Sequence, residues 1–183
     1  MTDAELGAAL REHAYLEGDF LLRSGKRSRY YLDKFRFLTR SDTLAALGER
    51  IAEEVREHAG DVDRLAAPQL GAIVLAAAAS LASGRPFLIV RDAPKEYGTR
   101  NRIEGDFEPG ESVCLLEDVV TTGGALLDSV DAVREVGLVV ETAVCVIDRE
   151  EGGVDALARR GVELRPLFTA GEVLGKTPAK PHG

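Results

Sequence analysis

From residue 42 onward, short apolar runs alternate with stretches of helical periodicity, and this alternation limits the folds open to the chain. Strands that alternate with helices pair in parallel, because each helix carries the chain back across the sheet. We therefore predict an α/β fold in which helices flank a mostly parallel sheet. The predicted strands are 62–66, 86–90, 113–116, 139–147 and 162–168. The predicted helices are 3–17, 42–58 (with Asp42 as N-cap), 71–82, 125–136, 154–160 and 170–174.

The net charge of -8 argues against a general nucleic-acid-binding protein, since phosphate contacts need a positive field. Basic side chains are nevertheless concentrated in residues 23–36 and 91–102 of this acidic chain. Two basic segments on an acidic body indicate a small anionic ligand rather than a long polyanion.

The chain lacks the features of a membrane or secreted protein. It has no run of about 18 apolar residues, and its acidic N-terminus is unlike a signal peptide. Cys114 and Cys145 both lie inside apolar runs, so we interpret them as small buried residues rather than a disulfide or metal pair. We predict a cytoplasmic protein with no membrane partner.

Residues 113–125 combine a buried strand, an acid pair, a turn and a helix start. The apolar run 113–116 is followed by Glu117 and Asp118, and then by the Thr-Thr-Gly-Gly sequence of residues 121–124. Glycines let a phosphate approach the backbone, and the free N–H groups of a helix N-terminus point at it. The two carboxylates can accept hydrogen bonds from ribose hydroxyls. An acidic turn between a strand and a helix is the alternative, but the order of the parts favours a site for a phosphorylated sugar.

Residues 115–125 resemble the phosphoribosyl pyrophosphate (PRPP) motif of type I phosphoribosyltransferases. The stretch has neither the Gly-Lys-Ser/Thr of a Walker motif nor the Gly-x-Gly-x-x-Gly of a dinucleotide-binding loop.

Residues 18–33 carry a second resemblance. Apolar and aromatic runs on both sides of residues 24–26 predict a β-hairpin with its turn at Gly25. The segment resembles the N-terminal hood of orotate phosphoribosyltransferases, whose pattern is roughly Gly-x-Phe-x-Leu-Lys/Arg-Ser-Gly-x-x-Ser-x-Tyr. This match is more specific than the PRPP motif, because the hood separates the orotate enzymes from purine and uracil relatives. Arg29 departs from it, since many relatives have proline there.

Residues 91–105 have no hydrophobic periodicity and contain two glycines and a proline, which predicts a mobile loop. The segment resembles the family's catalytic loop, which closes over the partner subunit's active site. Arg91, Lys95, Tyr97 and Gly98 match that loop, whereas Asp92 stands where the family usually has lysine. The turn at residues 67–70 also departs from the family pattern, so any pyrophosphate contact there would come from backbone N–H groups.

The resemblance implies that orotate reacts with PRPP to give orotidine 5'-monophosphate and pyrophosphate, in de novo pyrimidine (UMP) biosynthesis. It implies catalytic roles for Lys95, Glu117 and Asp118. The residues implied in PRPP binding are Arg91, Asp92, Lys95, Tyr97, Glu117, Asp118, Val119, Val120, Thr121, Thr122, Gly123, Gly124 and Ala125. The residues implied in orotate binding are Arg23, Tyr31, Thr121 and Arg149.

Arg149 follows a predicted strand, and its planar fork suits a carboxylate. Mg²⁺ is the implied cofactor, with no direct ligation by side chains expected, and the implied assembly is a homodimer with shared active sites. Together these features predict one phosphoribosyltransferase domain over residues 1–183. Its predicted parts are an N-terminal helix and hood (1–41), an α/β core (42–175) and a tail (176–183).

Two alternatives stay open from the sequence. One is a phosphoribosyltransferase for another base, and the other is a PRPP-sensing regulator that has lost catalysis. Asp92 and the altered turn at 67–70 favour the regulator, whereas Lys95 and the hood pattern count against it.

Overall fold

A computed structural model of the chain describes residues 1–21, 27–93 and 102–175. The helices are α1 (Asp3–Ala14), α2 (Lys34–Leu38), α3 (Ser41–Glu54), α4 (Gly71–Ser83), α5 (Gly124–Glu135), α6 (Gly153–Ala158) and α7 (Ala170–Val173), and a π-helical turn (Val55–Ala59) continues α3. The strands are β1 (Tyr15–Leu21), β2 (Arg27–Leu32), β3 (Arg64–Pro68), β4 (Phe87–Val90), β5 (Ile103–Glu104), β6 (Ser112–Val120), β7 (Val139–Asp148) and β8 (Glu163–Thr169).

Six strands form the central sheet in the order β5-β4-β3-β6-β7-β8. All neighbouring strands from β4 to β8 pair in parallel, and the short β5 pairs antiparallel with β4. The predicted α/β class and mostly parallel sheet are confirmed. Strands β1 and β2 form a separate antiparallel hairpin, which confirms the predicted hairpin. Its turn at Gly25 lies outside the described residues, as does the predicted tail 176–183.

Two apolar clusters cover the two faces of the sheet. Residues of α1, α2, α3 and α4 share one cluster, which includes Leu10, Phe37 and Ile51. Residues of α5 and α6 share the other, which includes Val130 and Leu157. Strands β6 and β7 carry buried residues on both sides. This fits central strands of a sheet whose two faces are both covered by helices.

Cys114 on β6 and Cys145 on β7 are both fully buried and free. Burial raises the pKa of the Cys114 thiol to about 12, which keeps the thiol protonated and unreactive. The interpretation of both as small buried residues is confirmed. No helix in the described parts of the chain is long and apolar enough to cross a bilayer.

The first predicted helix is too long, because residues 15–17 belong to β1 and not to α1. Tyr15 pairs with Leu32 across the hairpin, and its ring stacks on that of Tyr30 at 6.0 Å. Pairing with the next strand, β2, therefore overrides the helical periodicity of this segment, and Gly18 lies within β1.

Three further local predictions are wrong. The N-cap of α3 is Arg40, since Asp42 already lies in the first turn. Strand β6 continues through Val120, so the acid pair lies within the strand and not after it. The sequence interpretation also missed α2 and β5, which are too short to show a periodicity.

Candidate active site

The carboxyl ends of the parallel strands surround a cavity of about 410 Å³. The ends of β3, β4 and β6 line it together with the starts of α2 and α5. Gln69 reaches it from the turn after β3, where the Gln69–Leu70 peptide bond is cis. Ligands of parallel α/β sheets bind at this edge, so this cavity is the candidate active site.

A smaller cavity of about 40 Å³ adjoins the turn between β6 and α5. Thr121, Gly123, Gly124 and Ala125 line it, as the sequence motif predicts. Gly123 is the N-cap of α5 with φ +83°, a conformation that favours glycine, and no side chain caps this helix end. The first N–H groups of α5 therefore remain available to an anion, and the helix dipole favours one there.

Gly153, the first residue of α6, closes this turn from behind. A Cβ at position 153 would lie 2.4 Å from Cγ1 of Val120 and 2.9 Å from the carbonyl oxygen of Thr121. Only glycine permits this approach, so α6 fixes the position of the turn.

Asp118 is almost completely buried, with 1% of its surface exposed. The Lys34 ammonium donates to its Oδ1 at 2.9 Å, and the Val119 N–H donates to the same oxygen at 2.7 Å. Lys34 Nζ also lies 2.8 Å from Oδ2, at ion-pair distance but outside hydrogen-bond angles, since Oδ2 has no hydrogen-bond partner of good geometry. A Cβ at Gly71 would lie 2.0 Å from Oδ2, so glycine is required there.

Glu117 is the second member of the acid pair and is also buried. Burial, and then the neighbouring Asp118 carboxylate, raise the pKa of Glu117 to about 8. The Asp118 N–H, which donates to Glu117 Oε1 at 2.9 Å, and the Lys34 ammonium act in the opposite direction. Burial and the neighbouring carboxylate therefore favour the protonated form of Glu117.

Arg149 follows β7, and its N–H donates to the carbonyl oxygen of Val120 at 2.9 Å. Its side chain is 17% exposed, its Nη2 lies 3.0 Å from a Glu151 oxygen, and its guanidinium carbon lies 5.8 Å from the centre of the Tyr30 ring. Its Nε is buried and has no hydrogen-bond partner. The guanidinium is thus positioned between the hairpin and the sheet with donor capacity to spare.

The structure does not bring every predicted residue to this edge. Tyr31 is 44% exposed and packs against Phe20, with ring centres 5.6 Å apart, whereas its neighbour Tyr30 approaches Arg149. Successive side chains of a strand point to opposite faces, so β2 presents Tyr30 and not Tyr31 to Arg149. Arg23, Lys95, Tyr97 and Gly98, like most of the predicted mobile loop, lie outside the described residues.

The described ends of that loop carry charges. Arg91 Nη1 lies 3.7 Å from a Glu104 oxygen, and Asp92 is exposed at the cavity edge. Arg102 pairs with Asp128 of α5, with Nη2 at 2.5 Å from Oδ2. Over the described ranges, no group of three or more His, Cys, Asp or Glu residues could hold a metal ion.

Sequence reasoning missed four residues of this site: Lys34, Tyr30, Gly71 and Gly153. The sequence feature that could have placed Lys34 at a helix start is Asp33, a typical N-cap residue. Its side chain accepts from the N–H of Phe35 and caps α2. Nothing in the local sequence connects Lys34 with Asp118, which lies 84 residues further along the chain.

No family model matches the chain. The orotate phosphoribosyltransferase of Methanocella arvoryzae is 45% identical over 177 residues, which are 96% of this chain and 99% of that protein. The crystal structure of the Aeropyrum pernix orotate phosphoribosyltransferase has a TM-score of 0.83 at 33% identity, covering 93% of this chain and 97% of that one. The Mycobacterium tuberculosis orotate phosphoribosyltransferase, solved in complex with PRPP, has a TM-score of 0.79 at 29% identity, covering 93% and 98%.

Proposed function

The chain belongs to the orotate phosphoribosyltransferase family, and from this membership we propose how its residues share the transfer of the phosphoribosyl group from PRPP to orotate. The reaction gives orotidine 5'-monophosphate and pyrophosphate and belongs to pyrimidine biosynthesis. A ring nitrogen of orotate displaces pyrophosphate at the anomeric carbon, which gains positive charge in the transition state. The observation that carries the assignment is the acid pair, uncapped helix start and Arg149 at one edge of the sheet.

The 5'-phosphate binds at the start of α5. Thr121, Gly123, Gly124 and Ala125 line the small cavity there, and their backbone N–H groups hold the phosphate in this proposal. The Thr121 hydroxyl adds a donor, and Thr122 lies in the same turn outside the cavity lining. Val119 and Val120 bring the end of β6 to the same place.

The ribose hydroxyls bind Glu117 and Asp118. Ionised Asp118 accepts hydrogen bonds, and its negative charge favours the developing positive charge at the anomeric carbon. Burial favours the protonated form of Glu117, which can either donate to or accept from a hydroxyl.

The pyrophosphate leaves toward the loop that follows β4. We assign its contacts to Arg91, Lys95 and Tyr97, and Asp92 lies beside Arg91 at the edge of the main cavity. Mg²⁺ would enter with PRPP as part of the substrate and would supply positive charge to offset the charge gained by the leaving group. Of the acid pair, the Asp118 carboxylate, which already binds the Lys34 ammonium, is the group whose oxygens would suit such an ion.

Orotate binds between the hairpin and Arg149. The Arg149 guanidinium takes its carboxylate, and the unpartnered Nε supports this role because it is a buried donor without an acceptor. Thr121 and Arg23 complete the pocket in this proposal, and Tyr30, which lies beside the Arg149 guanidinium, takes the place that the sequence assigned to Tyr31.

The active unit is a homodimer in which Lys95 acts on the partner's site. Leu70, directly before α4, and Val74 and Leu81 on α4 are exposed, and an apolar groove of about 510 Å³ lies between α3 and α4. Apolar surface of this extent supports contact with a second copy.

Mixing two inactive variants tests the shared site. In a random mixture of Lys95→Ala and Asp118→Asn protomers, about a quarter of full activity returns, because half of the dimers are mixed and each has one intact site. No recovery after subunit exchange would assign the loop to its own subunit.

The test of the function is orotate consumption followed by absorbance in the presence of PRPP and Mg²⁺. The same assay with uracil, hypoxanthine and xanthine identifies the base. We expect turnover of orotate and of none of the other three bases. Turnover of another base, or PRPP binding without turnover, would refute the proposal.

A further inference from the structure

Lys34 is held in place from both sides. It begins α2 directly after the hairpin, where the Asp33 N–H donates to the Ala14 carbonyl oxygen at 2.8 Å and the Asp33 side chain caps the helix. From this fixed start its side chain reaches the carboxylate of Asp118, in the wall of the main cavity.

The pair with Asp118 is asymmetric. The Asp118 side chain is 2% exposed, whereas the Lys34 side chain is 35% exposed. The carboxylate needs a counter-ion because a buried unpaired charge is strongly destabilising. The ammonium has three donor hydrogens, so it keeps donors for a ligand after it has bound Asp118.

The other described cations that line the cavity are already engaged. Arg91 lies near Glu104, and Arg102 makes a close pair with Asp128. Among the described cations of the cavity, Lys34 is the one that lies beside the acid pair itself.

The chemistry of PRPP makes this position significant. Its diphosphate is attached to the anomeric carbon, adjacent to the carbon that carries the 2'-hydroxyl. A cation bonded to the carboxylate that receives the ribose hydroxyls is thus also next to the diphosphate.

We propose that Lys34 is a PRPP-binding residue whose ammonium orients the Asp118 carboxylate and contacts the anionic oxygens of the diphosphate. The inference rests on the proposed function and adds a residue to it. Lys34 also supplies positive charge in a cavity where Asp92 stands in place of the lysine usual in the family.

The test compares Lys34→Gln with Lys34→Arg and with Arg36→Gln, which removes an exposed charge from the same helix. PRPP affinity is measured by calorimetry, and the KM for orotate by steady-state kinetics. Lys34→Gln weakens PRPP binding by about tenfold or more, the loss expected for a charge-assisted hydrogen bond. The KM for orotate stays within about twofold, Lys34→Arg restores most of the affinity, and Arg36→Gln has no effect. If Lys34→Gln binds PRPP as tightly as Arg36→Gln does, the proposal is wrong.

A second comparison covers the case in which Lys34→Gln does not fold because Asp118 is left unpaired. The double variant Lys34→Gln/Asp118→Asn has no buried charge, and it is compared with Asp118→Asn alone. The double variant binds PRPP about tenfold more weakly if the ammonium contacts the ligand directly. Equal affinities would show that Lys34 serves only to neutralise Asp118. An inactive wild type in the orotate assay would instead refute the proposed function, and both binding comparisons would still be interpretable.

Discussion

Glu117→Gln replaces a buried carboxyl by a neutral group of nearly the same shape and removes the titration near pH 8. In the wild type, burial and the adjacent Asp118 carboxylate move the pKa of Glu117 from 4.5 to about 8. A carboxyl whose pKa is raised by folding binds its proton more tightly in the folded state. Its stabilising contribution is complete below the unfolded value of 4.5 and is lost as the pH rises through about 8.

The size of the effect follows from the shift. One pKa unit corresponds to about 1.36 kcal/mol, so the full shift corresponds to roughly 4 to 5 kcal/mol of unfolding free energy. The part that falls between about pH 6 and pH 9 is roughly 2 to 3 kcal/mol, because the unfolded carboxyl is already ionised at the lower pH. The group is buried, so solvent screening does not reduce this value substantially.

The assay is urea unfolding of the wild type and two variants at about pH 6 and pH 9. The wild type loses roughly 2 to 3 kcal/mol more than Glu117→Gln over this range. Glu141→Gln, which removes a carboxyl from an exposed position on β7, follows the wild type and serves as the control. If the wild type and Glu117→Gln lose equal stability, the reasoning about the buried acid pair is wrong.

Three other substitutions test the site. Arg149→Ala raises the KM for orotate about tenfold or more without changing that for PRPP in steady-state assays, since a carboxylate contact is worth about 2 kcal/mol; the reverse pattern would contradict the assignment. Gly71→Ala places a Cβ 2.0 Å from Asp118 Oδ2 and lowers both Tm and PRPP affinity; an unchanged Tm would show that α4 adjusts freely. Asp92→Lys tightens PRPP binding a few-fold in titrations, with a gain that shrinks as salt rises; equal affinities at low salt would refute it.

The site could be predicted where its parts are contiguous in the chain. The strand, turn and helix of residues 112–135 form in the predicted order, although β6 continues past the predicted end at residue 116 to Val120. Residues of the predicted turn line the small cavity at the start of α5. The position of Arg149 at the same edge also follows, because the carboxyl ends of parallel strands meet there.

The choice between Tyr30 and Tyr31 could not be made in this way. Both are adjacent aromatic residues of one strand, and the sequence does not say which face of the hairpin turns toward the sheet. The packing of the hairpin decides it, and it directs Tyr30 to Arg149.

The sequence by itself determined the α/β class, the edge of the sheet that carries the candidate site and the glycine-rich turn before α5, because all three depend on local periodicity and on short contiguous motifs. Only the tertiary structure decided the partner of Asp118, the raised pKa of Glu117 and the glycine requirement at positions 71 and 153. These depend on distances and burial between segments far apart in the chain. A buried charge is stable only beside its counter-ion, and Lys34 meets Asp118 only when α2 packs against the end of the sheet.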